Sequence, residues 1–599
     1  MKKTRNKQIK NKQGITLIAL VVTLVILIIL AAVSINMVLG DQGIFKKAQQ
    51  GANSMHDAEV NTQAGFNSIT DEMDKIIAGN STQNPELRQD IPNAPEQIDG
   101  MTPIQFIEPT ETEMGSVQET DWNDNSWYNY SQSKWANTKS EDGSMWVWIP
   151  RYAYKITYNN PENKSEGGTI EVRFLEGTSD NYYENGELKT AKRQTKIDET
   201  VDTTTDFYVH PAFTNETSIN FANGGWDEEL TGMYVAKFEA GFPEGNNSTV
   251  SKKSSVSYTQ TDAYVRNIEA GTENDSMQLA RNWLDGIYGE TPTKISYPVF
   301  QPLTYSMNYI NHNDAYNICR VMNENGNIYG FTNRSSDTHL MKNSEWGMVS
   351  YLSYSQYGTN GQDIAINNAN LNSGGKKREI TNISGKSEVD SVYAVTGMTQ
   401  GLIDGEETVI KIDEIKALSG NTPTTTGSMY GWNQQGGVVA SSTKNMTGVY
   451  DLSGGLWERT ASYIANEHEK LKEYGKSIAY NNDILKTKST KYTMVYPHDG
   501  TVDNSNKTNT EENVNAASNA NYAKNTKIYG DAIRETSMAG TGTSSWQDDY
   551  SNFVSLSATL MLRGGGIWYS SHAGRFYFGR TDGCNYFNPG FRPVVVPVS

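Results

Sequence analysis

Hydrophobic positions follow two regimes along this 599-residue chain. The first is a run without a charged side chain, Ile15-Thr-Leu-Ile-Ala-Leu-Val-Val-Thr-Leu-Val-Ile-Leu-Ile-Ile-Leu-Ala-Ala-Val33, continuing to Leu39. A helix of ~25 residues rising ~1.5 Å per residue crosses a hydrocarbon layer of ~30 Å, so the run predicts a transmembrane helix. Lys2, Lys3, Arg5, Lys7, Lys10 and Lys12 precede it and keep the start cytoplasmic. The expectation is a single-pass membrane protein held through 15–39, with its C-terminal body extracellular. Ile44, Phe45, Ala48, Phe66, Ile69, Met73, Ile76 and Ile77 recur near helical spacing and extend the N-terminal helical segment to 15–78. The Pro- and Asn-rich stretch that follows predicts a linker over 79–115.

The second regime fills 116–599, with short aromatic-rich runs between Gly-rich turns. Met145–Lys155 and Gly232–Glu239 alternate as half-buried strands do. Residues 313–323 predict a helix, with Ile318, Val321 and Met322 as its apolar stripe and Asn311 or Asn313 as its cap. Together these elements predict an α+β body. Segments 243–300 and 466–530, rich in Asn, Ser, Thr and Lys, read as insertions or long surface loops.

A net charge of −18 argues against a nucleic-acid partner, because phosphate contacts need clustered Lys and Arg. The two cysteines, Cys319 and Cys584, exclude a four-cysteine zinc site and are too few for a disulfide framework, and they leave open either one Cys319–Cys584 bridge or two free thiols. Cys319 falls on the predicted helix and reads as core. His468-Glu469 lacks the second His of a metalloprotease helix, and Gly540-Thr-Gly-Thr lacks the Lys of a phosphate loop. No Gly-x-Ser-x-Gly elbow occurs.

The last stretch departs from the acidic whole. Arg563 to Ser599 holds Arg563, Arg575, Arg580 and Arg592 against the single acid Asp582. Arg563-Gly564-Gly565 and Gly590-Phe591-Arg592 enclose a segment of Tyr, Phe, Ser, Asn, Gly and Arg, the composition of a recognition surface. Tyr569, Ser571, His572, Arg575, Tyr577, Arg580, Asp582, Asn585 and Tyr586 are the expected ligand contacts. Trp457, Arg563, Gly564, Gly565, Phe591 and Arg592 are the expected frame. Strand alternation offers a second arrangement, with Phe576 and Phe578 inward and Arg575, Tyr577 and Gly579 outward.

The basic leader followed by Gly14 and Ile15-Thr-Leu-Ile resembles the signal of type IV prepilins and pseudopilins. The resemblance implies cleavage after Gly14 and methylation of Ile15 by a prepilin peptidase, and pilin or pseudopilin subunits as partners. Ala19 departs from the Glu usual at the fifth mature position, which the family uses in assembly. In the body, Gly232-Met-Tyr-Val-Ala-Lys-Phe-Glu239, Asn333 to Glu345-Trp346, Tyr450-Asp-Leu-Ser-Gly-Gly-Leu-Trp-Glu-Arg-Thr460, Arg563-Gly-Gly and Gly590-Phe-Arg592 resemble successive landmarks of one family. That family is the formylglycine-generating enzymes and their non-catalytic relatives, and the resemblance implies a C-type-lectin-like fold over roughly residues 140–599.

The family's oxidases hold copper through two cysteines after Arg-Gly-Gly, and those places fall on Tyr569 and Gly574 here. The resemblance therefore implies a binding protein rather than an enzyme, with no cofactor expected and structural calcium left open. In relatives diversified by retroelements, the varied positions never encode Lys, Glu, Gln, Met or Trp. None of these occurs from Tyr569 to Asn588. The resulting expectation is a surface-displayed protein that binds an extracellular protein or glycan. The alternative is a structural minor pilin without a dedicated ligand, and an oxidase is third.

Overall fold

In a computed structural model of the chain, the described residues are 91–194, 202–215, 225–241, 297–371 without 305, 309 and 368, 381–382, 385–386, 394–399, 408–410, 430–466, 468–479, 489–496, 517–526, 529–566, 572–584, 586 and 588–598. Gly14, Ile15 and the segments 1–14 and 15–78 lie outside them.

Two seven-stranded sheets organise the body. The first runs, in spatial order, through Ser336–Leu340, Pro593–Pro597, Gly232–Ala236, Met145–Pro150, Asn137–Lys139, Thr102–Ile107 and Ser116–Glu119. Every pairing in it is antiparallel. The second runs through Met494–Tyr496, Trp457–Ile464, Leu560–Arg563, Phe578–Thr581, Tyr550–Asn552 and Thr541–Thr543, with Pro589–Phe591 also paired to Trp457–Ile464. A three-stranded sheet of Tyr152–Tyr158, Gly168–Phe174 and Tyr208–Val209 lies beside them in sequence.

The strand predicted over 145–155 divides at Pro150, since proline supplies no ladder N–H. Thr102–Ile107, expected within the linker, is a sheet strand because Ile104 is a buried apolar position opposite Asn137. Helix α1, His312–Arg320, starts where the Asn311 side chain accepts the Asp314 N–H at 2.8 Å. Helix α2, Asn343–Tyr354, is buried along its whole length, so its sequence lacks an amphipathic stripe. Glu345 reaches back to accept the Lys342 N–H at 2.8 Å and closes its first turn.

Two expectations are corrected. The α+β, C-type-lectin-like expectation for the body is corrected, for the described residues are mostly β with few helices: α1, α2, α3 (Glu469–Tyr474) and α4 (Ser518–Asn525). Short aromatic runs between turns are too brief for helices but suit strands that are covered on both faces. Among the described residues no helix is long and apolar enough to cross a membrane, which stands against the expected membrane-spanning element and single-pass placement. The run 15–39 itself lies outside the described residues.

Candidate functional site

The chain passes from the second sheet to the first at Arg592, between Pro589–Phe591 and Pro593–Pro597. Its buried guanidinium donates to Glu458 at 2.8 and 2.5 Å, a two-point pair, and to the carbonyls of Ala236 at 2.8 Å and Tyr450 at 2.9 Å. Asp451 and Glu239 are buried in the same centre. Asp451 accepts from the Asn367 amide at 2.8 Å and the Gly397 N–H at 2.9 Å, and Glu239 accepts the Leu456 N–H at 3.1 Å. Gly455 makes room for the Glu239 carboxylate, because a Cβ there would stand 2.8 Å from it. Burial, then Asp451 and Glu458, push the Glu239 carboxyl well above its ordinary range. The separate opening-strand, Trp-Glu and C-terminal landmarks thus meet in one buried charge centre.

A second centre surrounds Arg563. It donates to the carbonyls of Asp531 at 2.9 Å and Ala532 at 3.1 Å and lies over the Trp346 ring. The Trp346 indole N–H donates to the Arg575 carbonyl at 2.8 Å, tying α2 to the C-terminal segment. Gly564 and Gly565 adopt φ of +81° and +72°, and a side chain on Gly565 would strike Ala573. Nearby, Glu535 accepts from the Tyr154 hydroxyl at 2.7 Å, the Tyr351 hydroxyl at 2.6 Å and the Gly530 N–H at 2.6 Å. Burial raises its carboxyl to about 7, and that of Asp531 to about 6. Sequence reasoning missed this acidic pair, since neither residue sits in a patterned motif.

The expected contacts separate. Tyr569, Ser571 and Asn585 lie outside the described residues. Half-buried His572 donates its Nδ1–H to the Asp548 carbonyl at 2.9 Å. Arg575 is buried, donating to the hydroxyls of Ser353 at 2.6 Å and Thr359 at 3.1 Å, and to the Gln362 carbonyl. Tyr577 is buried as well. Arg575 and Tyr577 are therefore corrected from ligand contacts to packing residues. Arg580 is half-buried and turns toward the Ser518 hydroxyl at the start of α4.

Asp582 and Tyr586 come together around Cys584. Asp582 accepts the Cys584 N–H at 3.1 Å, and the Tyr586 N–H donates to the Cys584 carbonyl at 3.1 Å. Tyr586, 46% exposed, is the only aromatic side chain among the described residues that stands exposed. Beneath this loop Arg459 is fully buried and donates to the Cys584 carbonyl at 2.5 Å, so the turn is fastened to the strand Trp457–Ile464. Half-buried Trp457 receives the neighbouring end of the segment, its backbone N–H donating to the Asn588 carbonyl at 3.0 Å. Phe591 is buried. Cys319 and Cys584 are both free thiols. Burial pushes the Cys584 thiol up to about 12, which keeps it protonated and a poor nucleophile.

Gly574, at the second of the two places where the oxidases carry cysteine, packs against Asp549, and a Cβ there would overlap the Asp549 carboxylate. Among the described residues no group of three or more His, Cys, Asp or Glu side chains is placed to hold a metal ion. His468 caps α3, its Nδ1 accepting the Lys470 N–H at 3.2 Å. No family model matches the chain, and no curated protein matches it.

Proposed function

We propose that this chain is a non-catalytic binding protein, similar to the non-catalytic relatives of the formylglycine-generating enzymes, that takes a protein or glycan ligand at its C-terminal segment. The observation that carries the proposal is the exposed Tyr586 beside Asp582, on a loop fastened at both ends to buried structure. A tyrosine ring offers contact area and a hydroxyl at low entropic cost, and a fixed loop avoids the ordering cost of binding. The overlap of any residue-574 side chain with Asp549, and the protonated Cys584 thiol, speak against a copper–thiolate oxidase at this place.

The test compares wild type with Tyr586→Ala and Asp582→Ala on arrays of glycans and folded proteins, with thermal melting as the control. Loss of a wild-type binding signal at unchanged melting temperature supports the proposal. Copper-dependent oxygen uptake in the presence of a cysteine-containing peptide would replace it with the oxidase assignment.

A further inference from the structure

Lys237 is fully buried, and among the described residues no carboxylate touches its ammonium position. Its Nζ lies 2.9 Å from Asn137 Oδ1, 2.6 Å from the Met446 carbonyl and 2.7 Å from the Gly448 carbonyl. The rings of Phe106 and Tyr450 close the site at 4.8 and 5.4 Å from Nζ. Asn137 is also fully buried, and its amide nitrogen is held by the carbonyls of Trp135 at 3.0 Å and Thr447 at 2.7 Å. Sheet register sets this meeting. Asn137 stands opposite Val147 and Val147 opposite Val235, and Lys237 follows two residues later on the same side.

We propose that Lys237 and Asn137 react within the folded chain to form a side-chain amide bond across the strand Met145–Pro150. The Nζ–Cγ bond forms, the Cγ–Nδ2 bond breaks, and Nδ2 leaves as ammonia after taking a proton from Nζ. No electrons are gained or lost, so no oxidant or reductant is needed. Three features favour the step. The amine and carboxamide are held together in a site closed to water, which raises their effective concentration. Burial pushes the Lys237 amine well below its ordinary value, toward the neutral nucleophile. The carbonyls of Trp135 and Thr447 hold Asn137 Nδ2 and so fix the carboxamide against the amine. A permanent ammonium held by the three oxygens and two rings is the competing outcome.

Peptide mapping of the full folded chain separates the two. The amide predicts a branched peptide joining the segments that contain Asn137 and Lys237, lighter than their sum by one ammonia. Asn137→Asp predicts the same branched peptide formed with loss of one water, and Lys237→Met predicts none. Unlinked peptides of full mass from folded wild-type protein would overturn the proposal without any variant having to fold.

Discussion

Replacing Arg592 by Met probes the centre where the two sheets meet. The substitution removes the two-point pair to Glu458 and the donors to the Ala236 and Tyr450 carbonyls. It leaves Glu458, Asp451 and Glu239 buried together without the guanidinium. Breaking one side of a buried ion pair costs about 3–5 kcal/mol, most of it from the charge left behind. Arg592→Met should therefore lower the unfolding free energy by about that amount in urea titrations followed by tryptophan fluorescence. Glu458→Gln in the same chain removes the stranded charge and should recover roughly 1–3 kcal/mol. The sign with pH follows from burial, which already raises the Glu458 carboxyl. Without Arg592 that carboxyl rises further, so the folded state holds an extra proton at low pH. That stability is present below the unfolded carboxyl value and is lost as pH rises through the folded one. The deficit of Arg592→Met should be smaller at pH ~5 than at pH ~8. A loss below about 0.5 kcal/mol, or additive single and double variants, would refute the coupling.

Further outcomes test other parts of the structure. Glu535 has its carboxyl raised from 4.5 to about 7, so its contribution is present below 4.5 and lost as pH rises through about 7. Glu535→Gln should gain on wild type by roughly 2.5 kcal/mol between pH ~5 and ~8 in paired urea titrations, and parallel pH curves would contradict this. Tyr577→Ala should cost about 3–5 kcal/mol because the ring is buried, so only Tyr586→Ala reports cleanly on binding. Gly574→Ala should cost about 1–3 kcal/mol through its overlap with Asp549, read as a lowered melting temperature.

The frame is more legible in the sequence than the face it carries. Arg563 and Arg592 stand out as the charged ends of Gly-rich motifs, and the structure buries both; the buried partners Glu239 and Glu458 lie inside quoted motifs but their meeting with Arg592 is not read from the sequence. The strands at 145–150 and 232–236 and helix α1 are visible through alternation and capping. Arg575 and Tyr577 are misplaced outward because period-two reasoning assumes that one face meets solvent. The strand Phe578–Thr581 lies inside its sheet, between Leu560–Arg563 and Tyr550–Asn552, and the run Ala573–Gly579 before and into it is buried residue by residue. The Lys237–Asn137 meeting is hidden for a different reason, since it depends on the register of three strands, one of which comes long after the other two in sequence.

The central claim is that Asp582 and Tyr586 present a binding surface on a fixed frame. Its most direct measurement is the binding of full-length wild type and Tyr586→Ala to the same glycan and protein arrays, with both melting temperatures recorded. The prediction is a saturable wild-type signal that disappears in Tyr586→Ala while the melting temperature stays unchanged. A saturable signal that survives in Tyr586→Ala would contradict it.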